Sequence, residues 1–181
     1  MLAGVTTPAE VLVEAGKPVK FTLTMPGKVP ATIDTFTPSR GADGVVKHGK
    51  LVDGTLVNVT SNLEGKVSVG QLVHCQSLEL PAQCMAPPGN YFLDVTIVAQ
   101  NAAGGRVTRK ITVANKPKSE AVEFGYVEPP PGKTLQVGAA GPAVKRAVLE
   151  VGNRKVTISG GEEPPKTVTV NVKAGATVVA N

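Results

Sequence analysis

Apolar and polar residues alternate along most of the chain, and turn residues separate the alternating runs. Residues 19–25 are apolar at the odd positions and polar at the even ones, and the odd positions of residues 91–97 are also apolar. A period of two is typical of a β-strand with one buried face. Pro-Gly, Asp-Gly and Gly-Gly pairs end these runs, as turn residues do. The pattern predicts an all-β protein.

The pattern is clearest at residues 87–113, where it predicts a β-hairpin. Residues 101–105 supply an Asn-Ala-Ala-Gly-Gly turn, and residues 106–113 form the return strand. Residues 143–151 also fit a helix by composition, but the flanking Gly-Pro and Gly-Asn pairs leave room for only about two turns, so a strand is favoured. The other predicted strands are residues 10–14, 19–25, 31–36, 45–52, 55–60, 66–75, 120–127, 134–137, 155–159 and 167–172.

This hairpin resembles the last hairpin of bacterial and phage Ig-like domains, a group that includes PKD, invasin-type and fibronectin-III-like domains. The resemblance rests on a Pro-Gly-Asn-Tyr start, an alternating strand, an Ala-Gly-Gly turn and a Thr-rich return strand, and it covers residues 87–114. The chain lacks the core Trp and the distant cysteine pair of antibody-type domains. The resemblance implies a β-sandwich used as a spacer, decoration or adhesion module, without a catalytic residue.

The length of 181 residues allows one large β domain, or one ordinary domain and a small one. We expect an Ig-like β-sandwich at residues 1–115 and a smaller β-rich domain or assembly arm at residues 118–181. The only shared phrase is Val-x-Ala-Gly-x-x-Val at residues 13–19 and 172–178, so no exact internal repeat is visible. An uncharged tail is predicted to form a last strand, either in its own sheet or on a neighbouring subunit: Ala176, Thr177, Val178, Val179 and Ala180.

Composition restricts the functions of such a chain. Aromatic residues make up 3% and Trp is absent, which disfavours binding of carbohydrate or single-stranded nucleic acid on aromatic platforms. The net charge of +5 is spread out, so we expect a mildly basic surface without a specific nucleic-acid site. No stretch is long and apolar enough to span a bilayer. Residues 1–10 lack signal-peptide features, which fits either use without export or a mature form.

We expect no metal, no cofactor and no catalytic site. Zinc needs about four nitrogen or sulfur ligands, and the chain offers His48, His74, Cys75 and Cys84. Because His74 and Cys75 are adjacent in a predicted strand, their side chains would point to opposite faces. No Gly-x-Ser-x-Gly motif and no phosphate-binding loop is present. The chain is therefore predicted not to be an enzyme.

Cys75 and Cys84 are the only cysteines. They are predicted either to form a disulfide or to remain as two thiols, one of them buried. A disulfide would close a short loop, which stabilises the fold by about 2.7 kcal/mol in the chain-entropy model. It would also indicate an oxidising or extracellular location.

These features favour a non-enzymatic structural protein of a virus particle, such as a phage capsid-decoration or tail-associated protein. It would be located on the virion and bind capsid or tail proteins or sister subunits, as a homo-oligomer or as part of a larger assembly. One alternative is a secreted or surface-exposed adhesin or pilus-like binding module. Another is a β-rich accessory domain of a larger enzyme complex.

Overall fold

The computed structural model describes residues 10–41, 45–99, 102–138, 141–160 and 163–181. In these residues all regular structure is β-strand apart from one 3₁₀ turn at Val73–Cys75, so the prediction of an all-β protein is confirmed. The same residues contain no helix that is long and apolar enough to cross a membrane. The chain divides into two compact units, residues 1–53 and 54–181, which are described separately.

The first unit has two small antiparallel pairs of strands. β1 pairs with β3, and β2 pairs with β4. The strands predicted at residues 10–14 and 45–52 are wrong, because no strand occurs there before Val52. Leu12 is fully exposed. The alternating residues of this segment have no partner strand, so this apolar side chain is not buried. The strands are β1 (Val19–Leu23), β2 (Lys28–Val29), β3 (Ala31–Phe36) and β4 (Val52–Asp53).

The second unit contains two modules of two sheets each. We call residues 55–122 module A, whose sheets have the strand orders β12-β5-β8 and β11-β9-β6-β7. Buried residues from both sheets form one core cluster, as in sheets that pack face to face. The strands are β5 (Thr55–Ser61), β6 (Gly65–Val69), β7 (Leu78–Glu79), β8 (Ala82–Ala86), β9 (Gly89–Ile97), β11 (Arg106–Val113) and β12 (Lys118–Val122).

The predicted hairpin of module A is confirmed: β9 and β11 pair antiparallel from Gly89–Val113 to Thr96–Arg106. The strand predicted at residues 66–75 is wrong beyond Val69, because Gly70 turns the chain at a φ of 53°. β8 was not predicted. Its five residues contain Cys84 and lie between Pro81 and Pro87.

Module B comprises residues 124–179, and its sheets have the orders β10-β16-β13-β19 and β15-β14-β17-β18, where β10 is a strand added from within the range of module A. Most of its buried residues form a second core cluster, whereas Phe124 and Val148 belong to the first. Residues 143–151 contain strands and no helix, as favoured above, and the strand predicted at 120–127 is interrupted at Glu123. The strands are β10 (Ala103–Gly104), β13 (Phe124–Glu128), β14 (Thr134–Gln136), β15 (Ala143–Val144), β16 (Ala147–Glu150), β17 (Gly152–Ser159), β18 (Lys166–Val172) and β19 (Thr177–Val179).

Modules A and B have the same topology. In chain order, the strands β5, β6, β7, β8, β9, β11 and β12 correspond to β13 through β19, with the same neighbours and directions. The register agrees as well: Gly89 starts β9 and pairs with Val113, as Gly152 starts β17 and pairs with Val172. The order of buried and exposed positions is identical over the first seven residues of β9 and β17.

The boundaries of these modules differ from the division proposed at residues 115 and 118. Residues 118–122 form β12, which pairs in parallel with β5 of module A. Phe124 at the start of β13 still belongs to the first core cluster and Val127 to the second, and Val148 of β16 also belongs to the first.

Candidate functional site

The most elaborate polar arrangement in the second unit is the junction between modules A and B. At its centre, β10 leaves the β9–β11 connection and pairs in parallel with β16 of module B. The N–H of Ala103 donates to the carbonyl oxygen of Arg146 (3.0 Å), and that of Gly105 donates to Val148 (2.8 Å). A Cβ on Gly104 would lie 2.6 Å from the carbonyl oxygen of Val148, so this approach requires a glycine.

Phe124 ties the start of module B to module A. It is fully buried and belongs to the core cluster of module A, although it is the first residue of β13. The side chain of Asn62 holds its backbone with two hydrogen bonds: Phe124 N–H donates to Oδ1, and Nδ2 donates to the Phe124 carbonyl oxygen, each at 2.8 Å. One amide thus pairs with the chain as a neighbouring strand would.

A charged cluster joins the two modules on another side. Glu150 at the end of β16 accepts hydrogen bonds from Arg109 of β11 and from Arg154 of β17. Its side chain is 17% exposed. Two guanidinium groups around one half-buried carboxylate satisfy its charge, and such partly buried networks fix geometry better than exposed pairs.

Side chains at equivalent positions, Tyr91 and Arg154, form hydrogen bonds with the backbone before β9 and β17. Tyr91 Oη donates to the carbonyl oxygen of Pro87 (2.9 Å), and Arg154 Nε donates to the carbonyl oxygen of Glu150 (2.8 Å). Each bond reaches four residues back along the chain. Burial raises the pKa of the Tyr91 phenol.

Cys75 and Cys84 form a disulfide in the structure, with Cα atoms 5.6 Å apart. The bond ties the 3₁₀ turn to β8, and His74 Nε2–H donates to the carbonyl oxygen of Met85 in β8 at 2.7 Å. The turn therefore lies against β8, an outer strand of its sheet.

The expectation that the side chains of His74 and Cys75 point to opposite faces of a strand is wrong. The two residues share a 3₁₀ turn and not a strand, and a ring nitrogen of His74 lies within 4.8 Å of both cysteine sulfurs. The sulfurs are bonded to each other, so neither is the thiolate that a metal would need. His48 is exposed in the first unit.

A surface hollow of module B is lined by Lys133, Ser159, Glu163 and Lys166, among others. Lys133 forms an ion pair with Glu163 at 2.5 Å, and hydrogen bonding to Lys133 lowers the pKa of this carboxyl group. Neither histidine of the chain lines the hollow. Ser159 therefore has no imidazole beside it to act as a base.

The tail that was predicted to form an assembly strand lies in its own sheet. Residues 177–179 form β19, which pairs in parallel with β13. Ala176 accepts a hydrogen bond from the N–H of Tyr126 (2.8 Å), and the N–H of Ala180 donates to Glu128 (2.9 Å). This is one of the two alternatives given for the tail.

Sequence reasoning missed the junction. The Gly104-Gly105 pair was interpreted as part of a turn, and residue 101 of that predicted turn lies outside the described residues. Asn62 and Glu150 carry no local signal, because their partners are distant in sequence. The paired Gly-Asn starts at residues 89 and 152 were visible, and aligning them would have suggested the repeated topology.

No protein-family model and no curated protein matches the chain. The arrangement of the residues themselves is therefore the basis for the proposals below.

Proposed function

We propose that the protein is a non-enzymatic structural protein of a virus particle, either a capsid-decoration or a tail-associated protein. It acts through the surfaces of β-sandwich modules that dock on the particle. The observation that carries this proposal is the junction, where β10 extends a sheet of module B and Phe124 fills the core of module A. A joint of this kind suits a protein that holds its modules together under load.

Two further features support the proposal. The side-chain bond from Tyr91 to the backbone four residues earlier resembles the tyrosine corner of Ig-like sandwiches and supports the proposed sandwich character. The net charge of +5 favours docking on an acidic shell. Docking would stabilise the assembly by mass action without any chemical step.

The test is to purify the native particles by density gradient and to quantify this protein by mass spectrometry. We expect a constant ratio to the major shell protein across the particle peak. We also expect the ratio to fall after a high-salt wash, because salt weakens contacts between a basic protein and an acidic shell. Absence of the protein from the particle peak at low salt would contradict the proposal.

A second candidate is a surface-exposed adhesin or pilus-like module, which the Cys75–Cys84 disulfide favours because disulfides persist in oxidising compartments. Alkylation of the protein in intact cells, followed by mass measurement, separates the candidates. An oxidised protein that protease removes from the cell surface supports the second candidate. A protein found only inside particles or in the cytosol contradicts it.

A further inference from the structure

Another chain can extend a sheet only at an outer strand, because an outer strand has unpaired N–H and C=O groups that can pair with a further strand. In the described residues of the second unit, β7, β10, β15 and β19 have at most three residues each. The 3₁₀ turn and the disulfide lie against β8. β12 has five residues and presents Lys118 and Glu120. The longest outer strands are the equivalent pair β11 and β18.

These two equivalent strands differ in charge. β11 carries three cationic side chains, Arg106, Arg109 and Lys110. A second β11 paired antiparallel about either middle residue would set Arg109 or Lys110 opposite its own copy, and like charges directly opposite destabilise a sheet. The seven residues of β18 carry one charge, Lys166, at the first position. β18 therefore lacks the protection that β11 has.

We propose that β18 is an assembly edge that pairs antiparallel with β18 of a second copy of this chain, across a twofold axis at Thr169. The pairing would join two four-stranded sheets into one continuous sheet. This names a partner for the structural role proposed above and rests on that role. It assigns self-assembly to β18 in place of the tail at residues 176–180.

The side chains of β18 are self-complementary in this register. Thr167 of one copy would face Asn171 of the partner, and Thr169 would face its own copy, all on the exposed face. Cross-strand Thr pairs stabilise antiparallel sheets, and Thr167 already makes such a contact with Thr157 within the chain (3.0 Å). On the other face, Val168 would lie opposite Val170 and extend the apolar layer.

One pair of charges at the ends of β18 is also complementary, while Lys166 of each copy would lie opposite Val172 of the other and beside its Lys173. The exposed carboxylate of Glu163 precedes the strand, and the exposed ammonium group of Lys173 follows it. In an antiparallel pair the start of one strand lies beside the end of the other. Glu163 of each copy would therefore be near Lys173 of the other, twice in the symmetric dimer.

The experiment measures the mass of the purified full chain by size-exclusion chromatography with light scattering, over a range of concentrations. We expect a mass that rises to twice 18.6 kDa. Thr169→Lys gives β18 the residue type found at the equivalent Lys110, and we expect it to abolish the dimer. Asn153→Lys is the matched control: it adds the same charge to the same sheet face, one strand inward, and should leave the dimer intact.

A second variant guards against misfolding of Thr169→Lys. Thr169→Cys places a single free thiol on the proposed axis, where facing Cα atoms of antiparallel strands are about 4.5–5.5 Å apart and a disulfide fits. We expect a crosslinked dimer on a non-reducing gel, and no crosslink for Asn153→Cys. A wild-type protein that stays monomeric, a Thr169→Lys dimer, or an uncrosslinked Thr169→Cys would each overturn the proposal. Because the isolated protein is measured, these results are independent of the particle-binding test.

Discussion

Modules A and B share their strand order, yet they cover equivalent outer strands by different means. In module A, a disulfide-linked 3₁₀ turn lies against β8, and His74 donates a hydrogen bond to the carbonyl oxygen of Met85. In module B, the equivalent β16 is covered by β10, which comes from module A. Module A closes its edge with its own loop, whereas module B depends on its neighbour. We infer that module B is the less independent of the two.

The same contrast appears at the start of the central strands. Tyr91 braces module A by a neutral hydrogen bond, and the equivalent Arg154 braces module B while also binding Glu150. Glu150 is in turn bound by Arg109 of module A. Tyr91 therefore makes a local bond within module A, whereas the equivalent Arg154 binds Glu150, which also contacts module A.

The largest expected effect comes from removing the side chain that the modules share. Phe124→Ala should lower the free energy of unfolding by about 3–5 kcal/mol, because it leaves a cavity in the core of module A at the first strand of module B. The matched control is Phe92→Ala, whose side chain is 63% exposed and whose change should be within about 0.5 kcal/mol. Denaturant unfolding of both variants measures the difference. Equal losses would refute the assigned role of Phe124.

The next effect distinguishes the two ways of covering an outer strand. The double change Cys75→Ala and Cys84→Ala should cost roughly 2–3 kcal/mol, because the unfolded chain loses its crosslink. It should also increase aggregation, because the turn no longer protects β8. Wild-type protein under a reducing agent should behave like the double variant. His74→Ala retains the disulfide and should lose only about 0.5–1.5 kcal/mol.

The contribution of the Tyr91–Pro87 hydrogen bond to stability can be measured directly. Tyr91→Phe should cost about 0.5–1.5 kcal/mol, because it deletes the hydroxyl donor to Pro87 and keeps the ring. Arg154→Met at the equivalent site should cost more, because Glu150 then loses one of its two guanidinium partners. Thermal unfolding of both variants tests this order. A larger loss for Tyr91→Phe would mean that the junction does not depend on Arg154.

The close approach of β10 to β16 can be tested with a well-matched control. Gly104 has a φ of 91° and Gly132 one of 81°, so alanine is strained at both by about 1–3 kcal/mol. Only at Gly104 would the new Cβ meet an atom, the carbonyl oxygen of Val148 at 2.6 Å, since Gly132 has nothing within 4 Å. We expect Gly104→Ala to be the more destabilising in denaturant unfolding. Equal effects would argue against tight β10–β16 pairing.

The smallest effect concerns the charged edge of module A. A hydrogen bond from Arg106 lowers the pKa of Asp94 below its usual value of 3.8, against the opposing effect of burial. The pair therefore stabilises the fold above that pH and loses its effect as the pH falls through the lowered pKa. Arg106 is 69% exposed, so Asp94→Asn should cost at most about 1 kcal/mol at neutral pH. The difference from wild type should shrink as the pH falls through the lowered pKa of Asp94; a difference that persists in acid below that pKa would have another cause.

Much of the strand pattern was predictable from local residues. β3 and β11 begin and end where the alternation predicted. The alternation also predicted the buried face of β9, which includes Leu93 and Val95. Errors came where alternation lacked a partner, as at residues 10–14, or where a glycine ended the strand early, as at Gly70. β8 was not predicted because it is short, contains Cys84 and is flanked by Pro81 and Pro87.

The sequence by itself determined that the chain is all-β, because a period of two and its turn residues are local properties of neighbouring side chains. It also determined that β11 carries three cationic residues and β18 only one. Only the tertiary structure decided that the two strands are equivalent, that β10 is a strand of the following module, and that Phe124 belongs to the core of the preceding one. These features depend on contacts between residues far apart in the chain, and no local pattern encodes which distant strand will be the neighbour.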